Sequence, residues 1–221
     1  MATALQDFLY VFPTKIAAEP GSAVKLKWAS GESPFRQAKP LDANPTTCAV
    51  QARRKLFTPD ECARIVAAGE ALPAVQAGVE KGENLYRVSR IRWIEPGPES
   101  EWIFHRLAFA FLEANRAYRF DLIGFADALQ YTVYGPDERF DWHMDLGPGR
   151  TSARKLSLTL QLSAAGEYDG GALEFVGNQY PAERELGAAT IFPSYIAHRV
   201  APVERGIRRS LVAWAYGPAF R

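Results

Sequence analysis

The chain reads as a mainly β protein with flanking helices (α+β), a helical first half packed on a β-rich second half. Two observations carry that class. From Ala126 to Phe220, seven short strand patterns follow one another, separated by turns rich in Gly and Pro; strands at such spacing build a sandwich or a barrel. Upstream of them, two segments carry apolar residues at helical spacing. The 221 residues, 48% hydrophobic and 23% charged, suffice for one sizeable domain with a real core. The expected organisation is a single domain, 1–221. It comprises an N-terminal extension over 1–52, a helical support region over 53–125 and a β core over 126–221.

Residues 1–52 mix Pro, Gly, Ser and charges, and the strands expected there are short, around Phe8–Phe12 and Val24–Trp28. The first helix begins in "RRKLFTPDECARIVAAGEAL". Thr58 suits the N-cap, Pro59 the first helical position, and Glu61 completes a capping box. Cys62, Ile65 and Val66 make its apolar stripe, and Gly69 lies near its end. "LYRVSRIRWIEP" alternates with period two and reads as a strand closed by the Pro-Gly-Pro turn at 96–98. "ESEWIFHRLAFAFLEANRAY" is a second helix, with Trp102, Leu107, Ala108, Phe111 and Leu112 on its apolar face. His105 belongs to its surface, because nothing near it has ligand spacing. The strand patterns that follow are "ALQYTVY", "RFDWHMD", "KLSLTLQLS", "GALEFVG", "LGAATIFP", "AHRVAPV" and "RRSLVAWAYG".

A net charge of +1 gives no electrostatic footprint for nucleic acid. No apolar run has the length of a membrane-spanning helix. The first residues lack the basic start and unbroken apolar segment of a secretory signal. Cys48 and Cys62 form no C-x-x-C pair and suit a reduced, cytoplasmic protein.

The chemistry concentrates in the β half. In "FDWHMDLG", His143 and Asp145 are two apart. Residues i and i+2 of a strand point the same way, so the pair projects from one face or from a strand end into one cavity. Alone, H-x-D also fits an ordinary surface strand. His198 is the only other histidine in this half. Two histidines and one carboxylate make the facial triad that leaves three metal positions open and marks non-haem Fe(II) oxygenases. A closed zinc site needs a fourth ligand, and Cys48 and Cys62 lie in an unrelated part of the chain. Ten residues beyond His198 comes Arg208, sharing strand parity with Ser210. A guanidinium beside a hydroxyl is a good carboxylate receptor. Arg209 has the opposite parity and Arg205 falls in a turn, so both are expected to be solvated.

Together these residues resemble the Fe(II)- and 2-oxoglutarate-dependent dioxygenases, most closely the prolyl 4-hydroxylase-like bacterial group of PKHD-type hydroxylases. The resembling pieces are "LQYTVYGPDERFDWHMD", "LSLTLQLS…YDGGALEF", "LGAATIFPSYIAHRVAPVERGIRR" and Trp214, in order from about Ala126 to Tyr216. The resemblance implies a double-stranded β-helix (jelly roll) as the catalytic core, supported by the N-terminal helices. It implies iron ligands at His143, Asp145 and His198, and Arg208 on the far carboxylate of 2-oxoglutarate with Ser210 assisting. A tyrosine on the preceding strand would join that carboxylate, with Tyr134 the first choice and Tyr131 the second. The implied reaction consumes O2 and 2-oxoglutarate, releases succinate and CO2, and hydroxylates an unactivated C–H bond of a small-molecule or peptidyl substrate, a prolyl residue or an amino-acid-like one. Fe(II) is the cofactor, with ascorbate as a reductant; neither nucleic acid nor membrane is an expected partner. The first fifty residues have no counterpart in that pattern. The chain also stops just after the last strand, where many members continue in a helical portion. Prolyl specificity is therefore the carry-over with least support.

Two other classes share the β core. One is a non-catalytic jelly-roll sensor of 2-oxoglutarate or metal. The other is a cupin-like metalloenzyme with no use for 2-oxoglutarate, which would have no need of Arg208 and Ser210. Trp142 is expected to pack rather than to flank the site, and Asp141 to be a strand-end polar residue. Nothing in the sequence assigns Arg154 and Lys155 to a ligand.

Overall fold

The computed structural model describes four short strands between residues 8 and 37, and then residues 44–81, 84–177 and 181–220. Two compact units emerge, Met1–Asn44 and Pro45–Arg221. In the first, β1 (Phe8–Tyr10) lies in the predicted stretch at 8–12, and β2 (Lys15–Ala17) pairs antiparallel with β3 (Lys25–Lys27), inside the stretch predicted at 24–28. β4 (Phe35–Gln37) returns to pair with β1. The remaining residues of the two predicted stretches lie outside the described ones.

The second unit opens with β5 (Gln51–Arg53) and α1 (Pro59–Glu70). The capping box forms as the sequence demands: the Thr58 hydroxyl accepts from the Glu61 amide at 3.2 Å and the Glu61 carboxylate from the Thr58 amide at 2.8 Å. Then come β6 (Val75–Lys81), β7 (Asn84–Ile94) and α2 (Glu101–Tyr118). Arg106 of α2 forks onto both Glu61 oxygens at 2.8 and 2.9 Å. That bond and the Thr58 amide hold the Glu61 carboxyl below the usual carboxylate range. The buried stripe of α2 is Ile103, Leu107, Ala110, Phe111, Ala114 and Tyr118. Leu112, expected on that face, is 61% exposed. The stripe is turned because the sheet lies under the 103–107–111–114–118 ridge, an i, i+4 series with one i+3 step. His105 stands on the surface near Glu101, as expected.

The β core follows: β8 (Gly124–Phe125), β9 (Leu129–Tyr134), β10 (Arg139–His143), β11 (Arg154–Gln161), β12 (Tyr168–Gly170), β13 (Leu173–Phe175), β14 (Ala189–Pro193), β15 (His198–Val200), β16 (Val203–Gly206) and β17 (Arg208–Tyr216). All pairings are antiparallel, in the order β13-β15-β10-β7-β9-β17-β11-β14-β5. β6 and β8 add at β7 and β17, and β12 pairs apart with β16. The sheet is rolled. β13 sits at one end of the order and β14 near the other, yet the Phe175 and Phe192 rings meet edge to face at 4.7 Å. This is the mostly β, helix-supported jelly roll that the sequence predicts.

Period two decides which side does what. The apolar parity of β9, β11 and β17 (Leu129, Tyr131, Val133; Leu156, Leu158, Leu160; Leu211, Ala213, Ala215) joins the helix residues in one core. Each fully buried leucine there contributes about 1.5–3 kcal/mol. The other parity, with Gln130, Tyr134, Thr159, Arg208, Ser210 and Trp214, faces a cavity inside the roll. Gly69 fixes how closely α1 approaches this sheet: a Cβ there would fall 2.6–2.8 Å from the Tyr131 ring. Gly69→Ala is expected to lower stability by about 1–3 kcal/mol through overpacking, read as a lower Tm. An unchanged Tm would show that the helix can lift off Tyr131 freely.

Candidate active site

His143 closes β10 and His198 opens β15, and the two are partners in register. The register is irregular between Phe140 and His143, and β10 ends there. Asp145 therefore lies in the bend beyond the strand, the strand-end arrangement rather than a common strand face. The ligand atoms of His143, Asp145 and His198 lie within 4.8 Å of one another. His143 Nε2 is 3.8 Å from Asp145 Oδ1, and His198 Nε2 is 3.7 Å from Oδ2.

The backbone sets the tautomers. His143 Nδ1 donates to the Asp141 carbonyl at 2.8 Å and His198 Nδ1 to the Ile196 carbonyl at 3.0 Å. A carbonyl only accepts, so each Nδ1 carries a proton and Nε2 is the ring atom left to face Asp145 and ligate a metal. Phe140 stacks on His143 at 3.5 Å, and Phe192 meets His198 edge-on at 4.7 Å, which fixes both ring planes. Burial, with the facing His198, pushes the His143 imidazole down to about 4, so the ring is neutral and ready to ligate. Burial raises the Asp145 carboxyl, but His198, His143 and the Ser157 hydroxyl outweigh it and hold the group below the usual range. Two imidazoles beside a carboxylate make the donor set that a divalent first-row ion needs.

Ser157 is a residue that sequence reasoning missed. Its hydroxyl donates to Asp145 Oδ2 at 2.6 Å and sits 3.0 Å from the Ser194 hydroxyl. The signal was the alternation in "KLSLTLQ", where polar residues separate three leucines that enter the core. Arg154 was also unassigned. It reaches the Asp145 carbonyl at 3.3 Å, lies 3.8 Å from the Trp214 ring centre and is neutralised by Asp127 at 2.7 Å. The Trp214 indole N–H faces Asp145 without closing a hydrogen bond. Ser157→Ala is expected to weaken divalent-metal affinity about 10–100-fold by freeing one carboxylate oxygen to rotate. Titration with Mn(II) measures it, and an unchanged affinity would remove Ser157 from any positioning role.

Across a cavity of about 680 Å³ from the triad lies Arg208. It is 0% exposed, the largest fully buried side chain among the described residues. Nη1 donates to Ser210 Oγ at 3.3 Å, while Nε and Nη2 have no hydrogen-bond partner. No described carboxylate pairs with it. A buried cation left so costs several kcal/mol unless an anion joins it. The orphaned donors therefore fit a ligand carboxylate. Gly171, at φ +58°, leaves room for this side chain, since a Cβ there would lie 3.1 Å from Arg208 Cδ.

The two candidate tyrosines part company. Tyr134 is the register partner of Arg208, lines the cavity and has the guanidinium carbon 5.5 Å from its ring centre. Tyr131 is three residues away and so has the opposite parity; its hydroxyl donates to Glu70 of α1 at 2.8 Å, outside the cavity. That placement corrects the expectation for Tyr131. Arg209, expected to be solvated, also turns to this back face, 3.6 Å from Glu70 and half-buried. Arg205 is solvated and pairs with Asp169. Trp142, expected to pack, is 40% exposed and lines the cavity, as does the exposed Met144.

A rolled antiparallel sheet that holds a His-Asp-His cluster opposite a buried arginine defines a class of non-haem oxygenase site. Residues 129–216 match the family model described as the 2OG-Fe(II) oxygenase superfamily, a family that uses Fe(II), 2-oxoglutarate and O2. Among curated proteins, the chain is 43% identical over 61 residues to a PKHD-type hydroxylase of Synechococcus sp. strain JA-2-3B'a(2-13), a stretch covering 27% of each protein. It is 33% identical over 147 residues to one of Synechococcus sp. strain CC9605, covering 65% of this chain and 66% of that protein. The aligned stretches thus span about a quarter to two thirds of these relatives. The fold is similar to that of a Pseudomonas putida prolyl-4-hydroxylase (TM-score 0.63, 22% identity, 79% of this chain and 95% of that one). It is also similar to a Trichoplax adhaerens prolyl hydroxylase solved with a hypoxia inducible factor peptide (TM-score 0.62, 15% identity, 77% and 84%).

Proposed function

We propose that this protein is an Fe(II)- and 2-oxoglutarate-dependent dioxygenase that hydroxylates an unactivated C–H bond of a small-molecule or peptidyl substrate. The single observation that carries the reading is Arg208: fully buried, two donors unpartnered, in the same cavity as the His143–Asp145–His198 cluster. A cupin-like metalloenzyme has no use for such a cation. His143, Asp145 and His198 would hold the divalent metal. Arg208, with Ser210, takes the far carboxylate of 2-oxoglutarate, and Tyr134 closes that end of the cavity. Bound there, Fe(II) and 2-oxoglutarate supply the oxidative decarboxylation that lets O2 hydroxylate a C–H bond, one oxygen atom entering the product and the other succinate, with loss of CO2. The chain's own work is to orient these parts and exclude water, so no acid–base pair is required. Cys48 and Cys62 are free thiols, in keeping with the cytoplasmic location that belongs to this reading. No described helix is long and apolar enough to cross a membrane.

Anaerobic addition of Fe(II) and then 2-oxoglutarate tests the site. A weak visible charge-transfer band is expected in the wild type and absent in His143→Ala. No band in the wild type, or an undiminished one in the variant, would overturn the assignment. A protein that shows the band yet never forms succinate under O2 with any substrate would be the sensor instead.

A further inference from the structure

The cavity contains a second buried guanidinium that the reaction does not use. Arg87, on β7, is 9% exposed and lines the same cavity as the metal ligands. Its Nε donates to Ser89 Oγ at 2.9 Å, and its guanidinium carbon lies 4.6 Å from the centre of the Phe140 ring, the ring that stacks on His143. Nη2 is buried without a hydrogen-bond partner, and no described carboxylate pairs with either Nη. With Nε held by Ser89, the Nη1–Nη2 edge is the free side of the fork.

The charges of the loaded site balance without Arg87. Asp145 and the two carboxylates of 2-oxoglutarate cancel the two charges of Fe(II) and the one of Arg208. Arg154, the third cavity arginine, is neutralised by Asp127. Arg87 alone stays uncompensated, and a buried cation calls for an anion. We infer that Arg87 is the receptor for a carboxylate of the substrate, so that the hydroxylated molecule is itself an acid: a free amino-acid-like acid, or a peptide presenting a terminal or side-chain carboxylate. The planar fork matches a carboxylate in two parallel hydrogen bonds, and Phe140 between Arg87 and His143 sets that anchor beside the metal. The inference rests on the dioxygenase reading and specifies the substrate class for that site.

The test uses the full chain loaded anaerobically with Fe(II) and 2-oxoglutarate, so that binding is read without turnover. The probes are the free L-amino acids and their carboxamides, together with proline-containing peptides with acidic or neutral side chains and free or amidated C termini. Calorimetry gives the affinities for the wild type, Arg87→Gln and Arg87→Lys. At least one acid is expected to bind where its amide does not, with Arg87→Gln weakening it on the order of a hundredfold and Arg87→Lys partly restoring it. Whether free acids or acidic peptides bind identifies the source of the carboxylate. A panel in which no acid outbinds its amide overturns the inference, as does an Arg87→Gln variant that binds the acid as well as the wild type. Loss of 2-oxoglutarate affinity as large as the loss of acid affinity would reassign Arg87 to the cosubstrate and overturn it too. Failure of the wild type to bind 2-oxoglutarate at all would instead overturn the dioxygenase reading.

Discussion

Arg208→Ala is expected to weaken 2-oxoglutarate binding by a factor of about 30 to 1000 or more while changing metal affinity by less than about threefold. Truncating one partner of a buried, hydrogen-bonded charge pair costs about 2–5 kcal/mol, and Arg208 is the wholly buried cation facing the cavity. The metal ligands stand on other strands, and their orientation is set by Asp141, Ile196 and Ser157, none of which touches Arg208. The same reasoning fixes an expected stability pattern. Without 2-oxoglutarate, Arg208 is an uncompensated buried charge, so its removal is expected to leave the Tm of the ligand-free protein unchanged or raised. The wild type gains Tm with added 2-oxoglutarate by mass action, and the variant loses that gain. Arg208→Lys is expected to recover only part, because an ammonium does not offer the planar fork. Calorimetry and a thermal melt with and without 2-oxoglutarate measure all three. A variant that loses metal and 2-oxoglutarate together, with a fallen Tm, would point to damaged folding and remove Arg208 from the cosubstrate site.

The residues that sequence made legible are those whose role follows from strand parity. Arg208, Ser210 and Trp214 share one face of β17, and His143 and His198 end and begin their strands as the H-x-D and later-H patterns require. The same parity, applied to β9, separates Tyr134 from Tyr131 without any structure: Leu129, Tyr131 and Val133 form the apolar face and enter the helix-side core. What stayed hidden was of two kinds. β12 and β16 pair residues about thirty-five apart in sequence, and Arg205, expected in a turn, lies within β16; no local pattern encodes such a partner. β6 contains Gly78 and gains its strand state from the long β7 beside it. Arginines were the other kind. Where no motif singles it out, as His198 and Ser210 do for Arg208, a strand arginine reads as a solvated polar position, and only the tertiary cavity shows that Arg87 is buried without an acid while Arg154 has Asp127. Burial of a long charged side chain depends on what packs over its stem, which the sequence does not announce.

Asp145→Asn is expected to remove the metal, and with it turnover, while leaving the ligand-free fold intact. The substitution keeps the volume and an oxygen for the Ser157 hydroxyl, which donates to Asp145 Oδ2 at 2.6 Å. What it removes is the negative charge, the one anionic donor in the His143–Asp145–His198 cluster. In the metal-free protein the surrounding imidazoles and the Ser157 hydroxyl favour the carboxylate over the cost of its burial, but the amide keeps the Ser157 bond and sheds the desolvation of a buried charge, so the expected cost to the fold is small. In the loaded protein it is the charge that cancels part of the divalent ion's own. Divalent metal is therefore expected to raise the Tm of the wild type, by an amount corresponding to about 2.7 kcal/mol at a hundred times the dissociation constant, and to leave that of the variant unmoved. Mn(II) serves as the probe in air, because it does not oxidise as Fe(II) does. A metal-dependent rise in the variant equal to that of the wild type would mean that the ion is held elsewhere, and the three-residue site would fall with it. If the variant's ligand-free Tm drops by more than a few degrees, Asp145 supports the fold as well as the site, and Ser157→Ala, which leaves the charge in place, then separates the two roles.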